Sequence, residues 1–236
     1  MNSINPIAYL PCELKGRDFD SRLLLASHLL HQGIAVVIGQ QWAIWDAVRE
    51  LPKGCLVATS GSQVQGHNAR VFQNMGHKVV LSDEEALALV SPPHILANVT
   101  QEALDACDLF LAQSPNHARI VLEAHPASSG KIRTTGNPRC DLLTTEGRRA
   151  FERVDHPRPF ILFNSNFALT HYLFGDIHKM TPEECKNRGL RMDMVEWENR
   201  NKIEFNQLIT WCLDNLPDYD VVIRPHPAET ETHGAI

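Results

Sequence analysis

The chain has 236 residues, with 22 Lys and Arg against 28 Asp and Glu, and a formal net charge of −6. That length holds one large domain, or one domain and part of another. The acidic balance excludes a general nucleic-acid binder, which needs concentrated Lys and Arg to neutralise phosphates, and fits an acidic soluble enzyme. Six cysteines (Cys12, Cys55, Cys107, Cys140, Cys185, Cys212) are scattered with no Cys-x-x-Cys pair. This predicts reduced thiols in the cytoplasm and no structural zinc. The first residues lack a basic region followed by an apolar one, and no stretch approaches the ~20 apolar residues of a membrane span. No transmembrane segment is expected, which leaves room for peripheral association with a membrane-bound assembly at the inner membrane.

In chain order, short β-branched runs at 7–10, 35–38, 55–59, 78–81, 109–112 and 132–134 predict six strands. Several are apolar throughout, the pattern of strands covered on both faces in a parallel sheet. Phe19, Leu23, Ala26 and Leu30 between the first two share one helical face, with Asp18 or Asp20 as the start and Gly33 as the stop. Later helices are expected at 42–51, 68–75, 101–107 and 116–125. Together these predict an α/β fold over 1–143, a complete Rossmann-like doubly wound parallel sheet with its own core.

Residues 144–159 are charged and contain Pro157 and Pro159, which predicts a helix and then a linker. A second Rossmann-like domain is expected over 160–236, with a strand at 160–164, an amphipathic helix at 199–216 and a buried strand at 220–223. One helix and two strands bury too little apolar surface to offset chain entropy. The second domain is therefore expected to be incomplete as written. The polar stretch 175–198 reads as an insertion or lid.

Ligands of an open parallel sheet bind at the carboxyl ends of its strands, so polar residues there come first. After the first strand, Glu13 is a candidate general base, with Lys15 and Arg17 as anion ligands. The alternative is a solvated loop in which Asp18 or Asp20 caps the helix and Arg22 pairs with a carboxylate. Ser60 and Gly61 follow the third strand in a small-residue turn, which is either a close approach to ligand or an ordinary strand-to-helix turn. Glu84 and Glu85 follow the fourth and equally suit a helix N-terminus. Gly136, Asn137 and Arg139 close the sixth, where a guanidinium can bind a carboxylate or phosphate, or where a rigid domain junction forms. In the second domain Asn164 and Asn166 follow one strand and Arg224 and His226 the next, so both groups are expected to face the same crevice. Arg224 suits charge on a departing diphosphate and His226 its positioning or protonation. The twelve histidines show no metal-ligand spacing. The Gly-x-Ser-x-Gly elbow is missing, which disfavours a hydrolase.

Three segments resemble the bacterial surface carbohydrate biosynthesis proteins: YLPCELKGRDFDSRLLLASHLLHQGIAVVIG, TGNPRCDLL and ILFNSNFALTH. The likeness covers nearly the whole chain. It implies a GT-B glycosyltransferase-like architecture and a role in making capsule, lipopolysaccharide or a related glycan. TGNPRCDLL is also similar to the junction of non-hydrolysing UDP-N-acetylglucosamine 2-epimerases, and IRPHP to the Arg-x-His-Pro of capsule glycosyltransferases and CDP-glycerol glycerophosphotransferases. The resemblance implies a nucleotide-sugar donor and a glycan acceptor as substrates, no bound metal and no cofactor. Glu13, Lys15 and Arg17 would lie on the acceptor side, Arg224 and His226 on the donor side. A UDP-sugar epimerase and a non-catalytic partner in a polysaccharide assembly complex stand as alternatives.

Overall fold

The computed structural model describes residues 6–87, 91–149, 156–167, 183, 186, 191–226 and 229. The chain divides into two compact units, Met1–Glu152 and Arg153–Ile236.

The first unit is a Rossmann-like α/β fold on a six-stranded parallel sheet. Its strands are β1 (Ile7–Cys12), β2 (Ala35–Gln40), β3 (Cys55–Ala58), β4 (Lys78–Ser82), β5 (Leu109–Ala112) and β6 (Ile132–Thr134), in the order β2-β1-β3-β4-β5-β6. The direction of winding reverses once, between β1 and β3, which is the switch point where such sheets bind ligands. Every pairing is parallel, from Ile7 opposite Ala35 to Ala112 opposite Thr134.

Alternation along the strands divides the core. Tyr9, Leu56, Ala58, Val79, Leu81 and Phe110 face one layer of helices: α2 (Gln41–Asp46), α3 (Gln63–Asn74), α4 (Pro92–Ala97), α5 (Gln101–Ala106) and α6 (Pro115–Ala124). Ala8, Leu10 and Val57 face the other way, against Ala26, Leu25 and Leu29 of α1 (Lys15–His31). Two short helices, α7 (Pro138–Asp141) and α8 (Thr145–Arg148), follow β6. The two faces are unequally covered, and Leu109 of β5 is 36% exposed.

Several expected boundaries need correction. Helix α1 begins at Lys15 rather than at Asp18 or Asp20, and its N-cap is Leu14, which offers no side-chain cap. Asp18 instead reaches back one turn, and its Oδ2 accepts the N–H groups of Glu13 and Leu14 at 3.0 Å each. Gly33 ends the helix at φ +76, where Ile34 donates to Leu29 O at 3.0 Å, a reverse turn that a Cβ would strain. The helix expected at 42–51 ends at Asp46 and tightens to a 3₁₀ turn at Ala47–Arg49. The one expected from residue 68 starts at Gln63, because Ser62 Oγ caps it by accepting the Gln65 N–H. Helix α4 was not anticipated; Ser91 before Pro92 marked its start.

The second unit, taken alone, has parallel strands β7 (Phe160–Asn164) and β8 (Asp220–Arg224), in register from Phe160 opposite Asp220 to Asn164 opposite Arg224. The crossover ends in helix α9 (Met192–Asn215), which begins seven residues before the expected 199. Phe163, Ile209 and Cys212 form its small core, with Ile161, Phe205 and Ile223 against them. The stretch 175–198, expected as an insertion or lid, lies largely outside the described residues, its described end being the first turns of α9. Among the described residues no helix is long and apolar enough to cross a membrane.

Candidate functional site

The carboxyl edge of the first sheet holds a single network of charged side chains. Helix α1 starts directly after β1, so its first two turns stand over the switch point. Arg17 Nη2 lies 2.6 Å from Glu13 Oε2, and its Nε donates to Asp18 Oδ1 at 2.8 Å. One turn further, Arg22 Nη2 donates to Glu84 Oε1 at 2.5 Å. Both side chains of this pair are 0% exposed.

The β6–α7 junction joins the same network. Asn137 caps α7 by accepting the Arg139 N–H at 3.0 Å, and its Nδ2 donates to the Glu84 carbonyl at 3.1 Å. That holds Arg139 over the sheet edge, where Nη2 reaches Asp18 Oδ1 at 2.8 Å and Glu85 Oε1 at 3.3 Å. Its Nε lies 3.2 Å from Glu84 Oε2. Glu84 therefore stands between two guanidiniums, with the peptide carbonyl held by Asn137.

The two buried acids respond oppositely. Burial raises the Glu84 carboxyl above its ordinary value, against the pull of Arg22 and Arg139. Burial also opposes ionisation of Asp18, but Arg17, the Leu14 N–H and Arg139 outweigh it and hold that carboxyl low. Burial, and then the charge of Asp18, push the Cys12 thiol up. Above this floor, Glu13 and Glu85 are the carboxylates most open to solvent, at 43% and 39%. Lys15 is exposed in the first turn of α1.

Ser60 and Gly61 form the strand-to-helix turn. Ser60 is buried and its Oγ donates to Ser62 Oγ at 3.1 Å. A Cβ on Gly61 would meet Asn98 O at 3.1 Å and Val99 Cα at 3.2 Å. The close approach that this glycine allows is thus to the chain's own 98–100 segment, where the Thr100 N–H donates to Gly61 O at 2.8 Å. Gly136 does adopt positive φ, at +97, with nothing within 4 Å of a Cβ built there.

In the second unit the loops after β7 and β8 meet around one carboxylate. Glu229 accepts from Ser165 Oγ at 2.8 and 2.9 Å, from the Phe167 N–H at 2.8 Å and from the His226 N–H at 3.2 Å. Ser165 N also donates to Arg224 O at 3.1 Å. Asn164, Asn166 and Arg224 are exposed at this edge, and His226 is half-buried. Asn164 stands opposite Arg224 in the β7–β8 register. Pro227 lies outside the described residues.

Sequence reasoning did not single out Glu229 or His117, and gave Asp18 and Arg22 only structural roles. His117 is buried with Nε2 3.3 Å from Asp83 Oδ2, and its Nδ1 accepts the Gln113 N–H at 3.3 Å. Ser114, which caps α6 by accepting the His117 N–H, was the only local signal. Among the described residues, no group of three His, Cys, Asp or Glu is placed to hold a metal ion. A scan against models of known protein families finds no match, and neither does a search of curated proteins.

Proposed function

We propose that the chain acts in bacterial surface polysaccharide biosynthesis as a GT-B-like glycosyltransferase, transferring a sugar from a nucleotide-activated donor to a growing glycan. One observation carries the reading. Two of the three segments that resemble surface carbohydrate biosynthesis proteins meet at the sheet's carboxyl edge, through Arg139 of TGNPRCDLL on Asp18 of the first segment at 2.8 Å. That edge is where an open parallel sheet takes its ligands.

In this reading Glu13 removes the proton of the acceptor hydroxyl, while Lys15 and Arg17 hold an acidic group of the acceptor. Asp18, Glu84, Asn137 and Arg139 position Arg17 and the first turn of α1. Arg224 and His226 offset the charge that develops on the leaving nucleoside diphosphate, and Asn164 and Asn166 orient it. The chemistry is nucleophilic displacement at the anomeric carbon: the bond to the acceptor oxygen forms, the bond to the diphosphate breaks, and the proton passes to Glu13.

The test is complementation in the native host. Deletion should abolish one surface glycan, and the wild-type gene should restore it while Arg224→Ala and His226→Ala, expressed at equal level, do not. Full restoration by both variants would show a non-catalytic partner in assembly instead.

A further inference from the structure

The two edges of the first sheet are built differently. Strand β6, at one edge, has three residues. The Phe110 N–H donates to Lys131 O, which turns the Ile132 carbonyl away from β5. There Nη1 of the exposed Arg133 takes it up at 2.8 Å. A short strand with a charged side chain over its outward acceptor is protected against further pairing.

Strand β2, at the other edge, has none of this protection. It runs for six residues without a proline or a charge, and no side chain from 32 to 45 is charged. The Ala35 N–H donates to Pro6 O at 2.8 Å, so the polar groups of Ala35, Val37 and Gly39 face β1. Those of Val36 and Ile38 then point out of the sheet, because successive residues of a strand turn opposite ways. Among the described residues β2 pairs with β1 alone, which leaves these outward groups to solvent. The Val36 and Ile38 side chains pack on the α1 face of the sheet. Val37 lies on the opposite face and is 40% exposed, and Trp42, just past the strand, is exposed too.

We propose that β2 binds a second copy of this chain, the two strands pairing antiparallel about a two-fold axis at Val37. Val36 then stands opposite Ile38 of the second copy, and each donates its outward N–H to the other's carbonyl. Val37 meets Val37 of the second copy as the close, non-hydrogen-bonded pair on the axis, where its exposed side chain is covered. A second copy fits because it brings the same outward donors and acceptors in matching register, and because no like charges meet along an uncharged strand. Since β6 is protected, the association closes at a dimer. The pairing does not depend on the roles given above to Glu13, Arg224 and His226.

Analytical ultracentrifugation of the full chain from about 1 to 100 μM should show a monomer–dimer equilibrium, since an edge contact is small and its affinity micromolar. Val37→Lys and Val37→Glu each set two like charges opposite each other on the axis, ~4.5 Å apart at Cα. Each alone should raise the dissociation constant about tenfold or more. An equal mixture of the two should restore a dimer holding one copy of each. In the wild-type chain, amide hydrogen exchange at Val36 and Ile38 should slow as concentration rises, which needs no variant to fold. A wild-type chain that stays monomeric, or whose exchange at these two amides ignores concentration, overturns the proposal. So does a dimer undiminished by either substitution, or a mixture of the two folded variants that stays monomeric.

Discussion

Glu84→Gln tests the charged floor of the first unit. The substitution keeps shape and removes the carboxylate that faces both Arg22 at 2.5 Å and Arg139 at 3.2 Å. Breaking a buried pair by removing one partner costs about 3–5 kcal/mol, because the other charge stays buried without compensation. Burial already raises the Glu84 carboxyl, so part of the desolvation cost is relieved when the charge goes. We expect the lower end, about 3 kcal/mol. At ~2–4 °C per kcal/mol for a chain of this size, that is a fall of roughly 6–12 °C in Tm. Thermal unfolding followed by circular dichroism reads it. Arg22→Met combined with Glu84→Leu should cost clearly less than the two single changes together, since neither charge is then stranded. A Glu84→Gln loss within the ~0.5 kcal/mol typical of surface sites, or strict additivity in the double variant, would refute this account of the pair.

Asp18, held low in the fold, stabilises above its unfolded pKa near ~3.9, and that contribution disappears as pH falls through the lower folded value. Asp18→Asn should therefore be less stable near neutrality and show a flatter loss of Tm below about pH 4. At Gly66 a Cβ would stand 2.9 Å from Ala103 Cβ and 3.0 Å from its Cα and N. Overpacking by ~1–3 kcal/mol should exceed the ~1 kcal/mol that alanine gains over glycine in a helix, so Gly66→Ala lowers Tm, whereas an open helix position would show a rise. Burial pushes the Cys107 thiol up to about 11. It should resist alkylation at pH 8 in the native protein and react at the rate of a free thiol only on unfolding, as peptide mapping will show.

The strands were legible because runs such as Leu109–Ala112 are apolar throughout, and burial on both faces of a parallel sheet demands that composition. Their far ends were less so. Pro11 and Cys12 still pair with Gly39 and Gln40, and Ser82 with Leu111, because backbone pairing outlasts the apolar pattern. Helix α4 buries Ile95 alone, too little to give a period. At the candidate site, position after a strand pointed to Glu13, Glu84, Glu85 and Arg139, but their partners were hidden. Arg139 meets Asp18 across 121 residues and Glu229 meets Ser165 across 64. Spacing cannot show contacts that only the folded sheet creates. Asp18 read as a helix-start cap and Arg22 as paired with a carboxylate, but that the carboxylate is Glu84, 62 residues on, and that Arg139 reaches Asp18 needed β4 and α7 in place.

Transfer of label from a nucleotide sugar tests the functional claim most directly. Membranes from the host carrying the wild-type gene, given a panel of radiolabelled UDP-, GDP- and CDP-sugars, should incorporate label from one donor that deletion-strain membranes do not use, and release its nucleoside diphosphate in equal amount. Arg224→Ala should abolish both. No incorporation from any donor, or interconversion of UDP-N-acetylhexosamines without an acceptor, would contradict a glycosyltransferase.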